Sequence, residues 1–432
     1  MRSFICLLTV VALISAFRLS STVASDNWAQ WRGGKLDNTS GETDLPIDFD
    51  KENNLLWRIE MPGAAGSSPI VWDERVFATT ADGDELALLA FTTKGAKLWS
   101  AKLGGQNRQL RMDIANYASP SPATDGKHVW ATSSAGVLHC FAMDGSPIWT
   151  LDLQEKYGKF EIQFGMSSTP VLDGDRLYLQ LIHGEMRDKG PGTGIVLALE
   201  AATGKEIWRA NRETDAAFEN KHSYASPTIY RDNDRAFLIT HGGDYVIGHA
   251  LEDGHELWRC GGLNPKPTYN NFLRLVSSPA TAPGMIVVPS AKNGPVFCLK
   301  PDITGDVTDK PDAKLWHMDR GTPDVASPLI HDGLVYMCIE TGVFVCLDAK
   351  SGETIYKERI LADQHRSTPV VVGDRIYVTG RKGTVVVLAT GRELKILSEN
   401  ELGETTTASP AVANGQIYIR TFNALYAFGH GK

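Results

Sequence analysis

The residues that could do chemistry in this 432-residue chain are few and scattered. Five cysteines remain beyond an apolar N-terminal stretch that holds Cys6: Cys140, Cys260, Cys298, Cys338 and Cys346. No Cys-x-x-Cys pair is present, so the sequence specifies neither a zinc site nor a dithiol redox centre. Cys140, Cys298 and Cys346 share one position with Ala90, Ala198 and Ala427, which reads as a small buried apolar residue. Cys338 and Cys346 flank Thr341-Gly342, and a cross-strand disulfide is left open there because its geometry is demanding. The histidines offer no i, i+4 metal pair on a helix, and no Gly-x-Ser-x-Gly elbow supplies a nucleophile. The glycine-rich stretch from Lys189 to Gly194 lacks the strand-to-helix setting of a phosphate loop and reads as a loop tip. Asp82-Gly83-Asp84-Glu85 is too short for a calcium loop and falls at a hairpin turn.

A second set of residues is better suited to recognition than to catalysis. Arg111, Asn116, Tyr117, Gln163, Phe164, His222, Tyr224, Asn271, Arg274, His365 and Arg366 each stand shortly before a Ser-Pro or Thr-Pro. Their mixture of aromatic, amide and basic groups suits a peptide, a polar small molecule or a carboxylate-bearing ligand. The competing role for each is to satisfy loop backbone and fill space.

The elements that must position them come from a repeat. A small residue, Ser or Thr, Pro, a short apolar strand, a Gly or acidic turn and a second strand recur eight times. The copies are Ser68-Pro69, Ser121-Pro122, Thr169-Pro170, Ser226-Pro227, Ser278-Pro279, Ser327-Pro328, Thr368-Pro369 and Ser409-Pro410. In the seventh copy, β-branched runs at 370–372, 375–379, 384–388 and 394–397 are separated by Gly373-Asp374, Lys382-Gly383 and Thr390-Gly391. Four strands at a period of roughly 40–57 residues specify an all-β, eight-bladed propeller with four-stranded blades. Each fourth strand ends on a bulky residue: Trp99, Trp149, Trp208, Trp258 and Trp316, then Tyr356 and Leu397. These side chains are expected to pack between blades. The eighth copy has only three strands, whereas Leu55-Leu56-Trp57-Arg58-Ile59 has a fourth-strand pattern and precedes the first copy. It is expected to complete the last blade and close the ring, leaving no open edge.

Turns between first and second strands, and between third and fourth, are short. The long connections at 104–117, 154–166, 211–224, 261–276, 317–325 and 183–194 join the other strand ends. They are expected to gather on one face, the natural place for recognition. The candidate residues above lie in these connections and should ring the mouth of the central channel.

Residues 1–24 read as a secretory signal: Arg2, an apolar run from Phe4 to Phe17, and small residues at Thr22-Val23-Ala24. No cysteine follows near that site, so no lipid anchor is expected, and no later run is long enough to span a bilayer. Residues 25–54 are expected to form an arm, and 55–432 the propeller. The mature protein is expected in the periplasm or secreted. A formal net charge of −8 argues against a nucleic-acid partner.

The segments Val196-Leu197-Ala198-Leu199-Glu200 with Thr203-Gly204-Lys205-Glu206-Ile207-Trp208, and Phe344 to Gly352, resemble the pyrroloquinoline-quinone-like propeller repeat. Asn27-Trp28-Ala29-Gln30-Trp31-Arg32-Gly33 resembles the opening of exported propellers of planctomycete-type bacteria. The resemblance runs from about Leu55 onward. It implies either a quinoprotein dehydrogenase or a non-catalytic scaffold similar to the propeller subunit of the outer-membrane protein assembly machinery. The enzyme branch uses the quinone (PQQ) with calcium, a disulfide between adjacent cysteines and a carboxylate base. No Cys-Cys dipeptide occurs here. The expectation is therefore a binding or assembly scaffold with a protein or peptide partner and no cofactor. A quinone-dependent dehydrogenase and an extracellular small-molecule-binding module are the alternatives.

Overall fold

A computed structural model describes residues 27–104, 117–187, 190 and 192–431. Arg111 and Asn116, and the signal-like segment, lie outside the described residues. Eight four-stranded antiparallel sheets form the ring of an eight-bladed propeller. Blade 1 comprises Ile70–Trp72, Arg75–Asp82, Glu85–Thr92 and Lys97–Lys102 from the axis outward. Its two middle strands are buried along both faces because a neighbouring blade covers each side. Its outer strand alternates half-buried with exposed positions, as an edge against water should. Blade 8 is completed by Leu55–Glu60, which pairs antiparallel with Ala424–Phe428, and Arg58 donates to the Tyr426 hydroxyl (3.0 Å).

The repeated Ser or Thr has a specific task at the axis. Ser68 N–H donates to Ser121 Oγ, Ser121 N–H to Thr169 Oγ1, and so on through Ser226, Ser278, Ser327, Thr368 and Ser409. Ser409 N–H then donates back to Ser68 Oγ. Eight bonds of 2.9–3.1 Å thus tie each blade to the next in one closed circle.

The outer tryptophans tie the blades at larger radius. Trp57, Trp99, Trp149, Trp208 and Trp316 each donate their indole N–H to a backbone carbonyl of the following blade, at 2.8–3.1 Å. Each ring lies against a turn glycine of that blade; a Cβ on Gly204, whose φ is +70°, would stand 2.8 Å from Trp149. Two expected positions behave differently. Trp258 is buried against Gly248 and edge-on to Phe237, and its indole N–H has no partner. The neighbouring blade replaces the short turn with residues 300–313, whose Gly305–Asp306 adds a parallel strand beside Glu256–Cys260. That insertion also puts one long connection on the short-turn face. In blade 7, Leu397 is a bulged residue, and Ser398 takes the position opposite Val387. The missing aromatic is replaced by the arm: Ser398 Oγ donates to Ile47 O (2.6 Å), and Phe49 packs on Phe428 with ring centroids 4.6 Å apart.

The arm crosses the short-turn face and closes it. Trp28 O and Ala29 O accept from Val71 and Thr124 in blades 1 and 2 (2.9 and 2.8 Å). The Gln30 amide exchanges two bonds with Leu172 in blade 3 (3.0 and 2.9 Å). Arg32 reaches Pro279 O and Pro328 O in blades 5 and 6 (2.6 and 3.1 Å). Thr39–Ser40 then pairs parallel with Val370–Val372 in blade 7. Six blades are bonded to one short segment.

Candidate functional site

The central channel is a cavity of about 220 Å³, floored by Trp31 of the arm and flanked by the loop-rich face. The eight ring hydroxyls line its wall. Each hydroxyl oxygen already accepts a backbone N–H from the neighbouring blade. Their own protons meet no acceptor among the described residues. The residue two positions before each hydroxyl forms the next tier: Gly66, Ser119, Ser167, Tyr224, Val276, Val325, Arg366 and Thr407. Phe164, Arg274 and Asp324 enter from longer loops.

Charge is concentrated in these loops. Arg274 pairs with Glu219 (3.1 Å) and lies over the Phe164 ring, 5.5 Å from its centroid. Arg366 pairs with Glu340 (3.3 Å), whose carboxyl burial pushes above its ordinary range. The Nε atoms of both arginines, Asp324 Oδ1 and Glu340 Oε2 are buried without a hydrogen-bond partner. Beneath the floor, Arg32 is fully buried and packs on Trp31 at 5.3 Å. Burial draws its pKa down to about 10, so it remains charged at neutral pH. No carboxylate lies within ion-pair distance of it among the described residues.

Four expected site residues therefore meet at the cavity: Phe164, Tyr224, Arg274 and Arg366. The others do not. Tyr117 is half-buried and packs against the core between blades 1 and 2, and its carbonyl accepts from Ser134. Gln163 and His222 border a separate groove of about 430 Å³ with Phe160, Glu161 and Arg187. His222 is buried, with Nε2 at 3.0 Å from Gly184 O. His365 is buried and its N–H donates to Glu340 O, while Asn271 is half-buried in the Arg274 loop. Trp31, Asp324 and six of the eight tier residues, all but Tyr224 and Arg366, were missed. The tier has a plain sequence signal, the fixed offset before each Ser or Thr, and Trp31 lies in the arm motif already singled out.

The residues present do not fit a calcium-bound quinone. Among the described residues no three His, Cys, Asp or Glu side chains gather as a metal site. The cavity offers one carboxylate, Asp324, and no cysteine. All five cysteines are free and buried, and burial raises the thiol pKa of Cys260 and Cys346 to about 11. Cys338 pairs with Phe344 and Cys346 with Tyr336, so the two thiols do not face each other across the hairpin.

A family model described as outer membrane protein assembly factor BamB matches residues 39–118, 90–306 and 302–428. The chain belongs to this family. A BamB relative from Yersinia pestis is 23% identical over 330 residues, covering 75% of each chain. The crystal structure of BamB from Moraxella catarrhalis superposes with a TM-score of 0.61 at 13% identity, covering 87% of this chain and 97% of that one. Quinohemoprotein alcohol dehydrogenase from Comamonas testosteroni superposes with a TM-score of 0.66 at 12% identity, covering 94% and 81%. Both superpositions show the fold alone. Within this BamB-family propeller, among the described residues, no helix is long and apolar enough to cross a membrane.

Proposed function

We propose that the protein is a non-catalytic, exported scaffold that holds a protein or peptide partner on its loop-rich face. The observation that carries this reading is a rigid shelf over blades 3 to 5 that presents two exposed phenylalanines. Phe218 and Phe272 are 47% and 56% exposed. Phe218 is held at φ +54°, a left-handed conformation that a bulky residue adopts at a cost of about 1–3 kcal/mol. The two loops are knit beneath them. Ala217 N–H donates to the Tyr269 hydroxyl (2.9 Å), Asn220 Nδ2 to Asn270 O (2.7 Å), and Leu273 N–H to Asn220 Oδ1 (2.6 Å). Exposed aromatic anchors on pre-ordered backbone are what a protein interface uses to gain affinity without an ordering cost. Membership of the BamB family supports an assembly role, and the leader-like residues 1–24 support export.

The test is affinity capture from the source envelope fraction with the wild type and a Phe218→Ala, Phe272→Ala double variant. A defined partner should be retained by the first and lost by at least about tenfold with the second, at unchanged melting temperature. Identical capture by both would remove the shelf as the interface. Saturable, calcium-dependent binding of PQQ in a calorimeter would overturn the non-catalytic reading.

A further inference from the structure

The central channel has a chemistry of its own that partner capture on the outer loops leaves unused. Its wall carries eight hydroxyl protons without acceptors among the described residues, and its mouth carries two buried guanidinium Nε–H donors without partners. A third guanidinium, Arg32, lies under its floor with no carboxylate in contact. Glu219 and Glu340 already engage Arg274 and Arg366 through other nitrogens. Against this surplus of donors stands one carboxylate of the cavity lining, Asp324, whose Oδ1 is buried without a partner. Phe164, Tyr224 and Trp31 supply apolar surface.

Such a pocket favours an acceptor-rich anion that also brings one donor for Asp324. The cavity, at about 220 Å³, is below the roughly 300–1,000 Å³ of drug-sized sites, so the occupant is small. The arm seals the far end, so entry is from the loop-rich face. We propose that the channel is a binding site for a small carboxylate with an adjacent hydrogen-bond donor, an α-hydroxy or α-amino acid, free or as the end of a chain.

The full mature chain is titrated by calorimetry and by tryptophan fluorescence, since Trp31 forms the cavity floor. The probes are L-lactate, L-alanine, propionate and N-acetyl-L-alanyl-L-alanine. Saturable binding of lactate or alanine is expected, with propionate weaker by at least about tenfold because it brings no donor. Arg366→Gln should weaken the preferred probe by about tenfold or more. Asp324→Asn should narrow the gap between lactate and propionate, and its small change in shape keeps the test informative if the arginine variant folds poorly. Tighter binding of the acetylated dipeptide than of the free acids would support the site and assign it to chain ends. No saturable binding of any probe up to about 10 mM would overturn the proposal and leave a water-filled channel. Equal binding of propionate and lactate, or affinity indifferent to both substitutions, would overturn it as well. None of these outcomes depends on Phe218 or Phe272, so failure here and failure of the scaffold reading are separable.

Discussion

Asp244 shows how one buried carboxyl couples the loop-rich face to pH. It sits at φ +65° in the turn between the second and third strands of blade 4, and it accepts from the Tyr269 hydroxyl (2.5 Å) and Asn264 Nδ2 (3.4 Å). Burial outweighs those bonds and raises its pKa from 3.8 to about 6. The folded state therefore holds this proton more tightly than the unfolded chain does. Its contribution to stability is full below about pH 4, falls as pH rises from about 4 to about 6, and is level above that. Thermal melts across this window should show the decline in the wild type, and Asp244→Asn should flatten that component. If the variant keeps the same slope, the carboxyl is not the source. Asp244 was not legible in the chain, because nothing local distinguishes a turn Asp exposed to water from one roofed by a later loop.

At the scale of the element, the outer strands separate what repeats from what merely looks repeated. Trp316 makes the full inter-blade contact, with its N–H on Ala349 O at 2.8 Å, whereas Trp258 has no acceptor. Trp316→Phe should cost about 1 kcal/mol more than Trp258→Phe in urea denaturation, since only the first loses a hydrogen bond. Equal losses would mean that ring packing alone sets the value of the position. The blade pattern was legible in the chain because period-two apolar runs and Gly turns are local signals. The exceptions were not: Trp258 depends on an insertion in the next blade, and Leu397 was displaced by a bulge that puts Ser398 in register. The site was half legible for a similar reason. Proximity to the Ser-Pro phrase found Tyr224 and Arg366, but the offset of two residues decides which side chains face the axis. Tyr117, four residues ahead, lies half-buried against the blade core instead.

For the molecule as a whole, the arm acts as a strap across the short-turn face. Arg32 joins blades 5 and 6, to which the rest of the arm makes no other backbone bond among the described residues. Arg32→Met keeps the volume but deprives Pro279 O and Pro328 O of a charged donor, at a cost of about 2–4 kcal/mol. Hydrogen exchange should quicken in Ala280–Ala282 and Leu329–His331 before it does in Arg75–Asp82. Uniform quickening around the ring would contradict a local tie. Eight blades and their closure were readable from the repeat, but the path of the arm was not, because a non-periodic segment carries no register against the surface it crosses. We propose that the arm begins near residue 25 and passes into the ring at Leu55.

The closing strand also makes order of events part of the structure. Hairpins within a blade form between neighbours in sequence, on the microsecond scale. The bond between Arg58 and Tyr426 joins residues 368 apart, so the clasp carries a far larger loop-closure entropy than any hairpin within a blade. Until that pairing forms, Ala424–Phe428 is a bare edge and Gly95 lacks its tryptophan cover. A chain caught in that interval is an open arc with two reactive ends, free to pair with another copy of itself. The speed of the clasp, more than the strength of any blade, then governs how much of the protein reaches the closed ring before it aggregates.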